Sequence, residues 1–164
     1  MTATSSTRHE SVHAEVRVGD SVTKYLRAGT GRAVLLLGSF EPPLPPWPGL
    51  TAELAGNFRL IAPQLPQNRN DFATWVRAFL DGLGLLKVSI VATDDVGVAA
   101  IGFALLESER VDRLVLLSND RSNDGALFGG IDDPLRESPM PFVVIHRDQA
   151  GDPLAAMVSF LGEE

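Results

Sequence analysis

The sequence predicts an α/β domain, built on a mostly parallel sheet of about seven strands with helices on both faces. Residues 13–29 alternate apolar and polar side chains around Gly19 and Asp20, which is typical of an antiparallel hairpin. After this hairpin, short apolar runs alternate with segments of helical periodicity, which indicates strand–helix–strand units. The apolar runs are continuous, as expected of strands that are buried on both faces.

The composition is that of one soluble globular domain, with 164 residues of which 45% are hydrophobic and 21% are charged. We expect a disordered tail over residues 1–11 and a single domain over residues 12–164. A net charge of −7 disfavours nucleic acid and anionic membrane surfaces as partners, because both select clustered basic residues. The absence of cysteine excludes disulfides, thiolate catalysis and cysteine-based metal sites.

The sequence also indicates which cellular compartment, cofactors and partners to expect. The N-terminal residues hold no apolar segment of the secretory type, and no apolar run approaches the length of a membrane span, so we expect a cytoplasmic protein. Carboxylates are scattered without a ligand-spacing motif, so we expect neither a metal nor a cofactor. A small-molecule substrate is the expected partner.

The first half of the domain should hold the hairpin and two buried strands. Residues 33–37 form an apolar run that stops at Gly38, and residues 58–65 form a second run that Pro66 breaks. Between them lies a proline-rich stretch that can be neither helix nor central strand, followed by a short helix over residues 50–55.

The second half should continue the alternation. Asn70 and Asp71 offer an N-cap for a helix whose apolar residues recur at helical spacing: Phe72, Trp75, Val76, Phe79, Leu80 and Leu83. A strand over residues 88–92, a helix over 97–107 and a strand over 113–118 follow. Residues 119–140 have the composition of a loop, and a strand over 141–146 and a closing helix complete the domain.

The segment from Thr93 to Ala100 has the layout of a nucleophile elbow. A buried strand is followed by a carboxylate at Asp95, a small residue two positions on at Gly97, and then a helix. The glycine gives the backbone room for a tight turn. The layout therefore makes Asp95 the first candidate for a catalytic residue.

Further polar residues should gather at the same edge, because ligands of such sheets lie beyond the carboxyl ends of the strands. Together with Asp95 they are Ser39, Asn119, Asp120, His146 and Asp148. Asp94 and Asp95 are adjacent, and their repulsion is expected to raise the pKa of one of them. Such a pair can supply one acid and one base without a histidine.

The chain resembles the α/β-hydrolase superfamily from about Val16 to Leu161. "VLLLGSF" is similar to the family's "VLLLHGF", "LAGNFRLIAPQLPQNR" to its "La..yrviapDlpGhG", and "MPFVVIHRDQAGDP" to its "PvLvihGdqD..vP". An aspartate in the elbow resembles the haloalkane dehalogenases, fluoroacetate dehalogenases and epoxide hydrolases of that superfamily. The resemblance implies Asp95 as nucleophile and the backbone N–H groups of Val96 and of Ser39 or Phe40, after Gly38, as oxyanion donors.

The chain also departs from this family. Leu37 replaces the histidine that precedes Gly38, and Ala150 occupies the position of the late acid, flanked by Asp148 and Asp152. We expect the eighth strand and the catalytic histidine of the family to be missing, and the cap domain to be reduced to a loop. His146 matches a noncatalytic histidine of the family, so we favour a structural role for it over a catalytic one.

These observations leave three hypotheses for function. The first is a small-molecule enzyme that uses Asp95, with Asp94, Asp148 or His146, in cyclisation, dehydration, isomerisation or epoxide opening. The second is a conventional hydrolase with an aspartate nucleophile and a relocated base. The third is a noncatalytic relative that binds a ligand or a partner protein. An exposed strand over residues 142–146 would also favour a homodimer.

Overall fold

The computed structural model describes residues 12–38, 50–66, 71–118, 140–146 and 152–162. It gives only the backbone of Leu50, Thr51, Asp94, Asp95, Ser118 and His146. The strands are β1 (Val12–Val18), β2 (Ser21–Ala28), β3 (Ala33–Leu37), β4 (Arg59–Pro63), β5 (Val88–Thr93), β6 (Val111–Ser118) and β7 (Phe142–His146). The helices are α1 (Leu50–Asn57), α2 (Phe72–Leu83), α3 (Asp94–Leu106) and α4 (Pro153–Gly162), and Ser108–Arg110 form a 3-10 turn.

The strands form one sheet of seven in the order β1-β2-β4-β3-β5-β6-β7. β1 and β2 form the predicted hairpin, with Val18 opposite Ser21 and Gly19 at a φ of 63°, the positive value that a two-residue turn requires. β2 is antiparallel to β4, and all pairs from β4 to β7 are parallel. The predicted α/β class and mostly parallel sheet are confirmed.

An apolar cluster lies on each face of the sheet. On one face α2 and α3 pack over residues of the central strands such as Leu35, Leu37 and Ile90. On the other face α1 and α4 pack over the alternate residues, among them Leu36 and Val91. This alternation explains the continuous apolar runs of the sequence, since successive side chains of a strand enter opposite layers.

Helix α2 confirms the predicted helical spacing, and Asp71 occupies the predicted N-cap position, whereas Asn70 lies outside the described residues. Asp71 has left-handed backbone geometry, with a φ of 61°, and its side chain makes no capping hydrogen bond. The helix ends at Gly84, whose φ is 72° and whose N–H donates to the Asp81 carbonyl at 3.1 Å, while the Leu85 N–H donates to the Leu80 carbonyl at 2.9 Å. This is the Schellman arrangement, in which a left-handed glycine satisfies the last carbonyls of the helix.

A partly buried arginine joins three elements at the amino-terminal edge of the parallel strands. The Arg110 guanidinium donates to the carbonyls of Leu86 and Leu85 at 3.2 and 2.5 Å, and to Asp81 Oδ1 at 2.7 Å. Its side chain is 17% exposed. Arg110 thereby fixes the connection between α2 and β5 to the turn before β6. Within the described ranges, no helix is long and apolar enough to cross a membrane.

Candidate functional site

The strand order reverses direction between β3 and β5. From β3 the chain passes through α1 to β4 on one side, whereas from β5 it passes through α3 to β6 on the other side. In open parallel sheets, ligands bind in the crevice outside the carboxyl ends of the strands at such a reversal. The candidate site is therefore the edge at which β3 and β5 end.

β3 is followed by a glycine whose backbone geometry excludes most side chains. Leu37 is fully buried and pairs with Ala92 of β5, and Gly38 follows with a φ of 144°. L-residues rarely adopt this φ, so a glycine is needed at the point where the chain leaves the sheet. The next two predicted site residues, Ser39 and Phe40, lie outside the described residues.

The junction of β5 with α3 contains no loop. All six residues of β5 are buried, and Thr93, 3% exposed, has extended backbone angles of −88° and 171°. The helix begins at the next residue, Asp94, three positions before the predicted start at Gly97. Asp94 and Asp95 therefore occupy the first two helical positions, directly after the central strand.

The first turn of α3 offers backbone donors at this edge. At the start of the helix, the N–H groups of Asp94, Asp95 and Val96 have no intrahelical acceptor, and the Gly97 N–H is the first that reaches back to the N-cap residue. Thr93 occupies the N-cap position, but its side chain makes no capping hydrogen bond. The predicted oxyanion donor, the Val96 N–H, belongs to this set, and Val96 itself is 1% exposed. An anion beyond the end of β5 would gain from these donors and from the helix dipole.

Of the predicted site residues that the structure describes, His146 lies away from this point. His146 ends β7 and pairs with Ser118, so β6 separates it from β5. At about 4.8 Å per strand, the ends of β5 and β7 lie roughly 10 Å apart. Asp120 and Asp148 lie outside the described residues, and the side chains of Asp94, Asp95 and His146 are not described.

The sequence interpretation missed the role of Asp152 and did not single out Thr93. Asp152, which flanks the expected late-acid position, caps α4: its Oδ1 accepts from the N–H groups of Leu154 and Ala155 at 3.0 and 3.2 Å. The order Asp152-Pro153 is a signal for such a cap, because proline favours the first helical position. Thr93 is the second case. It is one of the few buried polar residues described, and its position before the elbow was its only signal.

Comparison by sequence gives partial matches. No family model matches the chain. An uncharacterized protein of Mycobacterium tuberculosis is 34% identical over 102 residues, which are 56% of this chain and 30% of that protein. An uncharacterized protein of Mycobacterium bovis matches to the same extent. The chain thus spans about a third of the length of these relatives.

Comparison by structure is more informative. The chain is similar to the meta-cleavage product hydrolase of Pseudomonas fluorescens IP01, with 26% identity and a TM-score of 0.55 over 71% of this chain and 50% of that one. It is similar to the 2-hydroxy-6-oxo-6-phenylhexa-2,4-dienoate hydrolase of Rhodococcus sp. strain RHA1, with 22% identity and a TM-score of 0.56 over 79% and 57%. It is also similar to the haloalkane dehalogenase DbeA of Bradyrhizobium elkani, with 20% identity and a TM-score of 0.54 over 67% and 43%. All of these are α/β-hydrolase fold proteins. The chain, which spans about half the length of these structures, has the α/β-hydrolase fold.

Proposed function

We propose that the protein is an enzyme of small-molecule metabolism in which Asp95, together with Asp94, performs acid–base chemistry at the carboxyl end of β5. Cyclisation, dehydration, isomerisation and epoxide opening all need such proton transfers and no acyl intermediate. The observation that carries the proposal is the position of the two aspartates: they are the first two residues of α3, at the reversal between β3 and β5.

The local chemistry supports this assignment. We expect the two adjacent carboxylates to repel each other, so that one of them holds a proton and the pair supplies one acid and one base. The N–H groups of the first turn of α3 can stabilise negative charge that develops on a substrate oxygen. Asp95 does not serve as the N-cap of α3, because Thr93 occupies that position.

Binding of ligands tests this proposal without knowledge of the substrate. A thermal-shift screen should include small epoxides, hydroxy acids and unsaturated carbonyl compounds. A ligand at a hundred times its Kd stabilises the native state by about 2.7 kcal/mol, which for a domain of this size raises Tm by roughly 5–10 °C.

Two isosteric substitutions in the first turn of α3 test the site, and a third substitution in the same helix is the control. Asp95→Asn should abolish the Tm shift of a true ligand, and Asp94→Asn should reduce it. Ala99→Ser, farther along α3, should leave it unchanged. A ligand whose shift survives in both aspartate variants would place the binding site elsewhere and count against the proposal.

A second candidate is hydrolysis through an aspartate nucleophile, because haloalkane dehalogenase DbeA is among the structures with this fold. In that chemistry a carboxylate oxygen of Asp95 attacks the carbon of an alkyl halide, the halide leaves with the bonding electrons, and an ester forms. The ester hydrolyses when a base activates water.

Intact-mass spectrometry separates the two candidates. After incubation with a bromoalkane, a nucleophilic Asp95 without an efficient base would accumulate the alkyl ester, and Asp95→Asn would not. Acid–base chemistry leaves the mass of the protein unchanged. Binding without turnover or adduct would instead identify a noncatalytic relative.

A further inference from the structure

We infer that β7 is a self-pairing strand, through which two copies of the chain join their sheets antiparallel about a two-fold axis. Within the described ranges, β7 is hydrogen-bonded only to β6 and forms one edge of the sheet. An exposed sheet edge presents a row of backbone donors and acceptors that another strand can use. The question is what kind of strand this edge accepts.

The hydrogen bonds to β6 show which backbone groups of β7 point outward. The Leu114 N–H donates to the Pro141 carbonyl at 3.0 Å, and Leu114 lies opposite Phe142. In a parallel strand the N–H and C=O of one residue point to the same side, and successive residues alternate. The groups of Pro141, Val143 and Ile145 therefore face β6, and those of Phe142, Val144 and His146 face away from it.

The side chains of β7 require a partner strand that is apolar on both faces. Phe142 and Val144 join the cluster beneath α2 and α3, and Val143 and Ile145 join the cluster beneath α1 and α4. Phe142, Val143 and Val144 are nevertheless only half-buried, whereas the central strands β3 and β5 are almost completely inaccessible. A strand that extends both clusters must be a continuous apolar run.

This sequence offers such a strand in β7 itself. The other described strands that are apolar on both faces, β3, β5 and β6, already have neighbours on both sides. The four residues Phe142–Ile145 are all apolar and carry no charge. A second β7 therefore extends both clusters, with no group of like charge placed against itself.

The opposite edge of the sheet is protected in a way that β7 is not. β1, the other edge strand among the described residues, carries His13, Glu15 and Arg17 as exposed side chains. Charged residues on an edge strand are a common protection against pairing with another chain. The contrast makes β7 the edge through which the sheet extends.

The outward groups also fix the register of the pair. With Val144 on the two-fold axis, Val144 faces its own copy and Phe142 faces His146 of the second copy, twice by symmetry. Each facing pair exchanges two hydrogen bonds. A single short strand pair buries less surface than a standard stable interface, so we expect a dimer that dissociates on dilution.

Light scattering coupled to gel filtration tests this inference with the full chain. We expect the mass of two chains at high micromolar concentration and of one chain on dilution. Val144→Pro removes an N–H that faces away from β6, so it should leave the β6–β7 pair intact and give one chain at every concentration. Glu15→Pro is the matched change on the other edge and should remain dimeric. Wild type that stays a single chain, or Val144→Pro that stays dimeric, would overturn the inference.

A cross-link tests the register even if the proline variant does not fold. The chain has no cysteine, so Val144→Cys creates a single thiol. Facing residues of a hydrogen-bonded antiparallel pair have Cα atoms about 5.5 Å apart, which a disulfide can span. Mild oxidation should link two Val144→Cys chains rapidly. Leu86→Cys, at a site 83% exposed and distant from β7 in the sheet, reports random collisions. Equal rates for the two variants would contradict the pairing.

Discussion

The single residues with the clearest structural roles lie away from the candidate site. Arg110 holds two carbonyls and one carboxylate with its guanidinium, an arrangement that the planar fork of arginine makes and a lysine does not. Removal of its side chain would leave the carbonyl of Leu85 without this donor. We expect Arg110→Ala to lower the free energy of unfolding by about 1–3 kcal/mol.

Urea denaturation followed by circular dichroism measures this loss. Arg110→Lys should recover less than half of it, because an ammonium cannot reach all three acceptors. Lys87→Ala is the control: Lys87 pairs with Asp112 at 3.4 Å, both side chains are about half exposed, and the expected change is within about 0.5 kcal/mol. Equal losses for Arg110→Ala and Lys87→Ala would mean that the Arg110 contacts contribute nothing to stability.

Two glycines with similar backbone angles allow the steric cost of an added side chain to be separated from its conformational cost. Gly29 has a φ of 79°, and a Cβ atom there would lie 2.2 Å from the Phe58 carbonyl oxygen. Gly84 has a φ of 72°, and a Cβ atom there would meet nothing within 4 Å. Gly84→Ala should cost about 1–2 kcal/mol for the left-handed backbone alone.

Gly29→Ala should cost clearly more, because the clash with fixed backbone adds to the same conformational cost. Thermal unfolding of both variants gives the comparison directly. If the two alanine variants have the same Tm, the contact of Gly29 with the backbone of Ala55 and Phe58 adds nothing to the conformational cost.

At the scale of elements, the position of Asp95 in the first turn of α3 determines how much its carboxylate contributes to stability. A carboxylate in the first turn of a helix is stabilised by the dipole by about 0.3–1 kcal/mol, whereas an N-cap side chain contributes about 0.5–2 kcal/mol. Because Thr93 occupies the N-cap position, the loss of charge at Asp95 should cost little. We expect Asp95→Asn to leave Tm unchanged or higher, since active-site carboxylates commonly reduce stability. A clear drop in Tm would indicate a structural role.

The start of α3 is also a feature that could not be predicted from the sequence. The strands were predictable because two-sided burial produces continuous apolar runs, and α2 was predictable because its buried residues recur at helical spacing. The start of α3 was not, because Asp94 and Asp95 suit a loop and a first helical turn equally well. Asp71 occupies the predicted N-cap position, but the sequence does not show its left-handed backbone or the absence of a capping hydrogen bond.

At the scale of the whole molecule, the predicted fold is confirmed, and the composition of the site remains a prediction. β3 and β5 are neighbours in the sheet, and the strand order reverses between them. This arrangement depends on pairing between residues that are far apart in the sequence, and local sequence patterns do not encode such pairing. For the same reason, the sequence did not show that β6 lies between His146 and β5. Asp95 stays the first candidate residue because its position depends only on local order.

The proposed chemistry predicts weak esterase activity. The candidate elbow holds Asp95 where a serine nucleophile would stand, and acyl transfer to water requires both a nucleophile and a base. We expect hydrolysis of p-nitrophenyl acetate close to the rate of the uncatalysed reaction. Turnover well above this rate that also depended on Asp95 would favour the hydrolase over the acid–base enzyme.

The central claim is that Asp95 carries the activity, and turnover of a ligand identified by thermal shift tests it most directly. The rates of wild type, Asp95→Asn and Asp94→Asn should be measured on that compound under identical conditions. Removal of a general acid or base commonly lowers the rate by a factor of about 10²–10⁴, so Asp95→Asn should lose at least a hundredfold in kcat with an unchanged Tm. Full activity in a folded Asp95→Asn variant would contradict the claim.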